Sequence, residues 1–269
     1  MLLRDGDAIV ELEPARGGLV TRFEVGARRV LFLDEATLRD PSKNVRGGVP
    51  VLFPTPGKLT GGAWSYGGHG GTLPQHGFAR NLPWRVVDAG PAAATLALAA
   101  NDATRAAFPW EFAVELTVRV DGATVHLDHR VTNAGDEPMP FGFGFHPYFL
   151  VADADKARAR VETRARRAFD NVRKQDVDLA GPIDLTAAEV DLHLLDHGAT
   201  DATLSTPAGD VHLRGSSEYT HWVVWTLAGR DFVCLEPWTC PGDALNRGDR
   251  LLVLAPGESR ALSLAITAA

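Results

Sequence analysis

The feature that most constrains the fold is a two-residue alternation of apolar and polar side chains. In Glu111–Val120 every second residue is apolar. A period of two places the apolar side chains on one face of a β-strand. The Asp121-Gly122 pair is typical of a hairpin turn, and the alternation resumes over Val125–Val131. The sequence therefore predicts a β-hairpin over residues 111–131.

Short alternating runs occur along the whole chain and are separated by turn-forming residues. Besides the hairpin, they occupy Ile9–Leu12, Leu19–Val25, Ala94–Leu98, Val211–Leu213, His221–Leu227, Phe232–Glu236, Leu251–Leu254 and Ala261–Ile266. The 27 glycines and 17 prolines argue against long helices, because both residues are costly inside a helix. These features favour an all-β sandwich or barrel. No repeat and no linker divides the chain, so we expect one domain over residues 1–269.

Composition excludes several functional classes. No apolar run approaches the roughly 20 residues that span a bilayer, and Arg4 comes too early for a signal peptide. With 27 Lys and Arg against 34 Asp and Glu, the chain lacks the basic surface of a nucleic-acid binder. Cys234 and Cys240 are too few for a disulfide framework and match no metal spacing. We expect a soluble cytoplasmic protein, a monomer or weak homodimer, without nucleic-acid or membrane partners.

Two segments depart from the strand pattern. Residues 40–76 are rich in glycine and proline with little periodicity, which predicts long loops, and such loops are usually functional or disordered. In Lys156–Arg166, cations recur at every second position with one interruption at Glu162. As a strand, this segment would carry five cations on one face. A solvated outer face is favoured over an anion-binding surface.

A histidine stands at the end of the strand-like run Phe141–Phe145. The three phenylalanines of the run share one face, and its two glycines share the other with His146. The glycines predict a shallow floor on which a ligand can approach the backbone. Pro147 favours extended geometry at His146 and ends the donation of ladder hydrogen bonds. A functional histidine is favoured here over a hydrogen-bonded structural one.

A second run, Phe232–Glu236, ends on a carboxylate. Phe232, Cys234 and Glu236 share one strand face, and Pro237 follows. Partial burial raises the pKa of a carboxyl group and makes it a better proton acceptor. From this segment alone, a glutamate that is exposed to solvent or paired with an arginine is an equal alternative.

Two loop segments carry further polar candidates. His76 lies in Leu73–Arg80, which leaves the glycine-rich region, and Arg46 stands beside a Gly-Gly pair that suits a ligand clamp. Each segment alone equally fits an ordinary loop. Among the other histidines, His193 and His197 would share the face of a helix, but no third metal ligand is near them. No nucleophile-elbow, phosphate-loop or dinucleotide motif occurs, so we expect no metal, no cofactor and no covalent catalysis.

Four motifs occur together, in the order Arg46–Pro54, Gln75–Arg80, Phe145–Phe149 and Leu235–Trp238. As a set, they resemble the aldose 1-epimerases, the galactose-mutarotase-like proteins that include a hexose-6-phosphate mutarotase branch. The segments 246–249 and 254–258 also resemble the C-terminal region of that family. The resemblance implies a large antiparallel β-supersandwich with the site in its concave face. It also implies interconversion of the α and β anomers of an aldose.

The resemblance implies roles for three residues. Ring opening requires removal of the proton from the C1 hydroxyl and protonation of the ring oxygen, and one carboxylate and one imidazole can do this without a metal. By similarity, Glu236 is the general base and His146 is the general acid. His76 would hydrogen-bond near the ring oxygen and stabilise charge as the ring opens.

The resemblance also implies substrate contacts. Arg46 matches the family's substrate-binding arginine, and Asp191 is the candidate for its sugar-binding aspartate. Trp238 either stacks on a sugar face or belongs to the core. Gln75 and Arg80 flank His76 and are expected at the rim of the site.

Three functions remain open for a protein with a small-molecule sugar as its partner. An aldose 1-epimerase acting on a hexose is favoured, and a glucose-6-phosphate 1-epimerase is close behind, because the segments around Arg46 and Arg80 resemble the branch in which arginines hold the phosphate. A non-catalytic carbohydrate-binding module on the same fold is the third. Binding alone does not require two proton-transfer groups, which disfavours that module. A glycoside hydrolase would usually need two carboxylates flanking the bond.

Overall fold

β-strands make up about 49% of the chain and helices about 10%. A computed structural model describes all residues, 1–269. None of its helices has the length and apolar character needed to cross a bilayer. The predicted all-β class is confirmed.

The strands are short, as the alternating runs predict, and most are bounded by turns. The first twelve are β1 (Leu2–Asp5), β2 (Ala8–Glu13), β3 (Leu19–Val25), β4 (Arg28–Arg29), β5 (Val51–Leu52), β6 (Ala63–Tyr66), β7 (His69–Thr72), β8 (Arg85–Ala89), β9 (Ala93–Ala99), β10 (Phe112–Asp121), β11 (Thr124–Asn133) and β12 (Met139–Phe141). The second twelve are β13 (Gly144–Phe145), β14 (Tyr148–Leu150), β15 (Arg160–Glu162), β16 (Arg167–Asp170), β17 (Gln175–Asp178), β18 (Glu189–Leu194), β19 (Asp201–Thr206), β20 (Gly209–Gly215), β21 (His221–Leu227), β22 (Phe232–Trp238), β23 (Leu252–Leu254) and β24 (Ser259–Ala268). The α-helices are α1 (Glu35–Arg39), α2 (Asp102–Ala107) and α3 (Ala244–Arg247), and single 3₁₀ turns cover Pro14–Arg16, Thr60–Gly62, Ala79–Asn81 and Asp153–Asp155.

Two eight-stranded antiparallel sheets dominate the architecture. The first has the order β15-β19-β20-β24-β11-β10-β9-β8, and its β10–β11 pair is the predicted hairpin. The second runs β17-β16-β18-β21-β22-β13-β5, and β14 also pairs with β22. A four-stranded sheet of β1 to β4 and the small pairs β6–β7 and β12–β23 complete the fold.

One apolar cluster of 59 buried residues joins the two large sheets. Val114 and Leu127 enter it from the first sheet, and Val233 and Leu235 enter it from β22 of the second. Because side chains alternate along a strand, the intervening residues Cys234 and Glu236 must point to the opposite face. The candidate site lies on that face.

The structure differs from the predicted cationic strand over residues 156–166. Only β15, residues 160–162, is a strand, because a 3₁₀ turn at Asp153–Asp155 carries the chain into it. Lys156 is buried, donates from Nζ to the Leu227 carbonyl at 2.6 Å and pairs with Asp153 at 3.0 Å. The prediction of one exposed face with five cations is therefore wrong for Lys156, the first of the five.

The segment 40–76 is mostly irregular, as predicted. It also contains β5 and the β6–β7 hairpin. The many glycines of this segment interrupt the apolar–polar alternation that would otherwise have indicated these strands. Its loops pass directly over the second large sheet, where Phe53 forms an isolated bridge to Gly77.

Candidate active site

A cleft of about 1260 Å³ opens over the outer face of the second large sheet. Its walls come from β18, β21 and β22 and from the loops that precede β5 and follow β7. All eight residues that the sequence predicts for the site line this cleft. They are Arg46, Gln75, His76, Arg80, His146, Asp191, Glu236 and Trp238.

Glu236 lies near the end of β22 with 2% of its surface exposed. Its Oε2 accepts a hydrogen bond from the Trp238 indole nitrogen at 3.2 Å, and its Oε1 lies 3.4 Å from His146 Nε2. Burial raises the pKa of Glu236 well above its usual value, and the nearby charge of Asp191 raises it further. The carboxyl group therefore holds its proton more tightly than an exposed glutamate does.

His146 follows β13 directly, and its backbone amide donates to the Pro50 carbonyl at 3.1 Å. Its ring stacks on Tyr148, with centroids 4.7 Å apart and planes 11° apart. Burial lowers the pKa of His146 to about 3, and the positive charge of Arg80 acts in the same direction. The imidazole is therefore neutral, and its Nδ1 is buried without a hydrogen-bond partner.

The two glycines before His146 make room for protein side chains. A Cβ atom at Gly144 would lie 2.8 Å from Trp238 Cδ1, and one at Gly142 would collide with Cys240 Sγ. The expected glycine floor for a ligand is therefore wrong, because other side chains fill that space. Trp238 is 3% exposed and packs with neighbouring apolar residues, so its indole forms the base of the cleft beneath Glu236.

His76 is held in a left-handed backbone conformation, with φ 69°. Its Nδ1 accepts a hydrogen bond from the Gly57 amide at 3.0 Å, so the neutral ring carries its proton on Nε2. The Gln75 side-chain amide lies 3.1 Å from that nitrogen, where its oxygen can accept the Nε2–H until a sugar oxygen replaces it. Burial lowers the pKa of His76 well below its usual value, and the ring centroids of His76 and His146 are 5.5 Å apart. His76 can therefore offer one N–H donor to a sugar oxygen.

Two arginines reach the cleft from loops. Gly47 and Gly48 adopt φ of 135° and 65°, and a Cβ atom at Gly47 would lie 2.5 Å from the Leu33 Cα. This close backbone approach carries the exposed Arg46 to the rim. Arg80 is half-buried and donates from Nη2 to the Gln75 carbonyl at 2.9 Å, while its buried Nε has no partner.

Asp191 lies on β18, beside Trp225 of β21 in the strand register. Its Oδ2 accepts a hydrogen bond from Asn171 Nδ2 at 2.6 Å. On the other side, His193 Nε2 lies 3.6 Å from its Oδ1. The carboxylate is thus held between an amide and an imidazole at the wall of the cleft.

The chain matches the family model described as aldose 1-epimerase over residues 14–267. It belongs to the aldose 1-epimerase family. This match covers almost the whole sequence and confirms the resemblance carried by the four motifs. It also confirms the predicted enzyme class, an isomerase that acts as an aldose 1-epimerase.

Individual relatives of this aldose 1-epimerase agree with the family match. A curated relative from Cenchrus ciliaris, named "Putative glucose-6-phosphate 1-epimerase", is 26% identical and covers 94% of this chain and 79% of its own length. The solved structure of the Slr1438 protein from Synechocystis sp. PCC 6803 is 35% identical, with a TM-score of 0.96 over 99% of this chain and 94% of that one. A galactose mutarotase related enzyme from Lactobacillus acidophilus is 20% identical, with a TM-score of 0.79 over 100% and 97%. The predicted galactose-mutarotase-like fold is confirmed.

Sequence reasoning missed a partly buried hydrogen-bond chain behind Asp191. Arg250 Nη2 can only donate, so His221 Nδ1 accepts its hydrogen bond at 3.3 Å. Burial lowers the pKa of both His221 and His193, so both rings are neutral. His221 then donates from Nε2 to His193 Nδ1 at 2.9 Å. His193 in turn directs its Nε2–H towards Asp191, which fixes one tautomer at each ring.

The sequence contains one indication of this hydrogen-bond chain. His193 follows Asp191 by two positions, so both must share a face if the segment is a strand. The helix on which His193 and His197 could have shared a face does not form, because β18 is a strand that ends at Leu194. His197 instead bonds to Thr163 Oγ1 at 2.7 Å and to the Asp201 carbonyl at 2.8 Å, outside the cleft lining.

Cys234 is a second feature beside the cleft to which the sequence motifs assign no role. It shares the face of Glu236 on β22 and is fully buried against Tyr148 and Phe232. Its sulfur, an imidazole nitrogen of His146 and a carboxyl oxygen of Glu236 all lie within 4.8 Å of one another. The pair of Glu236 and His146 therefore has a thiol as its third neighbour.

Proposed function

We propose that this protein interconverts the α and β anomers of a hexose by acid–base opening and closure of the sugar ring. The observation that carries the proposal is the buried pair of Glu236 and His146, with Oε1 and Nε2 3.4 Å apart in the cleft. Such a pair supplies one proton acceptor and one proton donor at neighbouring positions, which the hemiacetal centre requires.

The proton count of the pair suits this reaction. Burial favours the uncharged form, a protonated Glu236 beside a neutral His146. The ionised form, carboxylate and imidazolium, contains the same number of protons and is reached by moving one proton across the 3.4 Å gap. In that form, Glu236 accepts the proton of the C1 hydroxyl while His146 donates to the ring oxygen. Closure on the other face of the carbonyl reverses both transfers.

Other cleft residues bind and orient the sugar. The Nε2–H of His76 donates to the ring oxygen or an adjacent hydroxyl and stabilises the charge that develops there. Asp191 and Arg46 hold sugar hydroxyls from opposite sides, and Gln75 and Arg80 contact the substrate at the rim. Trp238 keeps Glu236 in place through its indole N–H.

A phosphorylated hexose is the second candidate substrate, and the charge of the cleft favours it. The chain as a whole has fewer Lys and Arg than Asp and Glu, 27 against 34. The residues that line the cleft reverse this balance, with eight Lys and Arg against seven Asp and Glu. One of the seven is Glu236, whose raised pKa disfavours its negative charge. The cations are Lys43, Arg46, Lys58, Arg80, Lys174, Arg230, Arg247 and Arg250. The name of the Cenchrus ciliaris relative supports the same candidate.

The deciding experiment compares α-glucose, α-galactose and glucose 6-phosphate side by side. Polarimetry or saturation-transfer NMR reads anomer interconversion above the spontaneous rate, with Glu236→Gln as the inactive control. Acceleration of the neutral sugars supports the general hexose substrate, and acceleration of the phosphorylated sugar alone assigns the arginines to its phosphate. Binding of a sugar without acceleration of any of the three would instead support a carbohydrate-binding module.

We also propose a cellular location and an oligomeric state for the protein. We place the protein in the cytoplasm, as a monomer or weak homodimer without nucleic-acid or membrane partners. The free thiols of Cys234 and Cys240 are in keeping with a reducing compartment.

A further inference from the structure

We propose that the active site also binds a thiophilic divalent cation, with Zn²⁺ as the best match, through His146, Cys234 and Glu236. The cation would exclude the sugar and block catalysis. The binding itself does not depend on the proposed function, but the inhibition rests on it. Nothing in the proposed reaction uses Cys234, so the role given to it here is separate from catalysis.

The geometry of the three donor atoms is close to that of a zinc site. All three lie within 4.8 Å of one another, and Glu236 Oε1 is 3.4 Å from His146 Nε2. Zinc bonds of about 2.0–2.3 Å in a tetrahedron separate neighbouring donor atoms by roughly 3.3–3.8 Å. One pair already has this spacing, and side-chain rotation has to bring only the thiol somewhat closer.

The donor atoms are not committed to strong interactions elsewhere. His146 Nδ1 is buried without a partner, and its Nε2 approaches Glu236 at an ion-pair distance longer than a good hydrogen bond. Glu236 uses only Oε2, which accepts from Trp238. Cys234 packs against Tyr148 and Phe232 and has an apolar environment. A cation would therefore displace few existing contacts.

The chemistry of the three donor atoms determines which ion they prefer. Imidazole, thiolate and carboxylate are the ligands of protein zinc sites, whereas Mg²⁺ and Ca²⁺ prefer oxygen atoms alone. Metal binding releases the protons of the Cys234 thiol and the Glu236 carboxyl group to solvent. The resulting thiolate and carboxylate carry two negative charges, which the divalent cation neutralises in this buried position. Three protein ligands leave the fourth position free. His146 and Glu236 line the cleft while Cys234 lies behind them, so that position faces the cleft.

Occupancy would inhibit the enzyme in a defined way. The cation would take the carboxyl oxygen and the imidazole nitrogen that transfer protons, and it would stand where the C1 hydroxyl must lie. Zinc inhibition is therefore expected to be competitive with sugar and reversible by a chelator.

The binding test uses Zn²⁺ in equilibrium dialysis and Co²⁺ as its spectroscopic substitute. The wild-type chain is expected to bind one ion and to show the charge-transfer absorption of a Co²⁺–thiolate bond. Cys234→Ser and Cys234→Ala should lose that absorption and weaken Zn²⁺ binding by about tenfold or more. The matched control is Cys240→Ser, because Cys240 is also a fully buried free thiol but lies outside the donor cluster.

The inhibition test measures anomer interconversion against Zn²⁺ concentration in the same variants. The Cys234 variants should keep their basal rate and need about tenfold more Zn²⁺ for half-inhibition, while Cys240→Ser should follow the wild type. The proposal is overturned if the wild type binds no ion, or if the Cys234 variants bind and respond as the wild type does. If the wild type shows the Co²⁺–thiolate absorption but accelerates the interconversion of no sugar, the metal site is supported and the proposed function is rejected.

Discussion

Glu236 is the residue whose replacement tests the proposed reaction most directly. In Glu236→Gln, an amide of nearly the same size keeps the contact with Trp238 but cannot accept a proton. Removal of one acid–base group typically costs about 10²–10⁴-fold in rate. We expect a loss in that range by saturation-transfer NMR, with an unchanged thermal unfolding midpoint or a small increase. A variant with a nearly native rate would reject Glu236 as the base.

The two histidines of the cleft should differ in their importance. His146→Asn removes the proton donor and should reduce the rate about as much as Glu236→Gln, again about 10²–10⁴-fold. His76→Asn loses only a hydrogen bond to the sugar, so a smaller reduction is expected. The comparison of the two rates under one set of conditions checks this order. Equal losses in both variants would contradict the separate roles of donor and stabiliser.

The pH dependence should reveal the shared proton of the pair. In the active form, Glu236 and His146 share one titratable proton. The pair gains a second proton only when His146 is protonated, at a pKa of about 3. It loses its proton only above the raised pKa of Glu236. We therefore expect no loss of kcat/KM from neutral pH down to about pH 5, and no half-loss near 6.5, the usual pKa of a histidine. A half-loss of activity near pH 6.5 would show that His146 titrates as an exposed imidazole.

The strands β18 and β21 act together, because His221 orients the ring of His193, whose Nε2 lies 3.6 Å from Asp191. His221→Phe keeps the ring volume but removes the donor to His193, which frees the tautomer of His193 and weakens its hold on the carboxylate. Loss of one such interaction is worth about 1 kcal/mol, so KM should rise about fivefold while kcat changes less. His212→Phe is the control, since His212 is exposed on β20 of the other sheet. An unchanged KM in His221→Phe would reject the positioning role.

Local sequence patterns predict the individual strands and favour a functional His146, but they leave the role of Glu236 open and do not predict how the strands combine. The proposed acid and base roles come from the family resemblance. The alternation over 111–131 encodes a hairpin whose partners are close in sequence, and Pro147 falls between β13 and β14 as expected. The expected strand end at Glu236 is wrong, because β22 continues through Pro237 to Trp238. The contact of His193 with His221 joins positions 28 residues apart through the register of β18 and β21. Only the assembled sheet sets that register, and this is also why the space beside Gly144 goes to Trp238.

Acid sensitivity is a property of the whole chain, because its buried histidines are distributed over the core and the cleft. Burial lowers the pKa of five of them: His76, His129, His146, His193 and His221. For His129 the pKa falls from 6.5 to about 4. The unfolded chain binds these protons at higher pH than the folded chain does, so stability is full above pH 6.5 and falls as the pH approaches 4. Glu236 makes the opposite contribution to the pH dependence of stability. Its raised pKa lets the folded chain keep a proton that the unfolded chain releases.

We therefore expect the free energy of unfolding, measured by denaturant titration, to fall steadily between pH 6.5 and 4. His129 alone contributes about 3 kcal/mol to that fall, since one pKa unit corresponds to about 1.4 kcal/mol. In His129→Phe the stability above pH 6.5 should drop, because the Tyr219 hydroxyl loses its partner at 2.8 Å. Its dependence on pH should nevertheless become shallower, by up to about 1.4 kcal/mol per pH unit. An equally steep dependence in this variant would mean that His129 is already protonated in the folded protein, and burial would then not control the charge of this histidine.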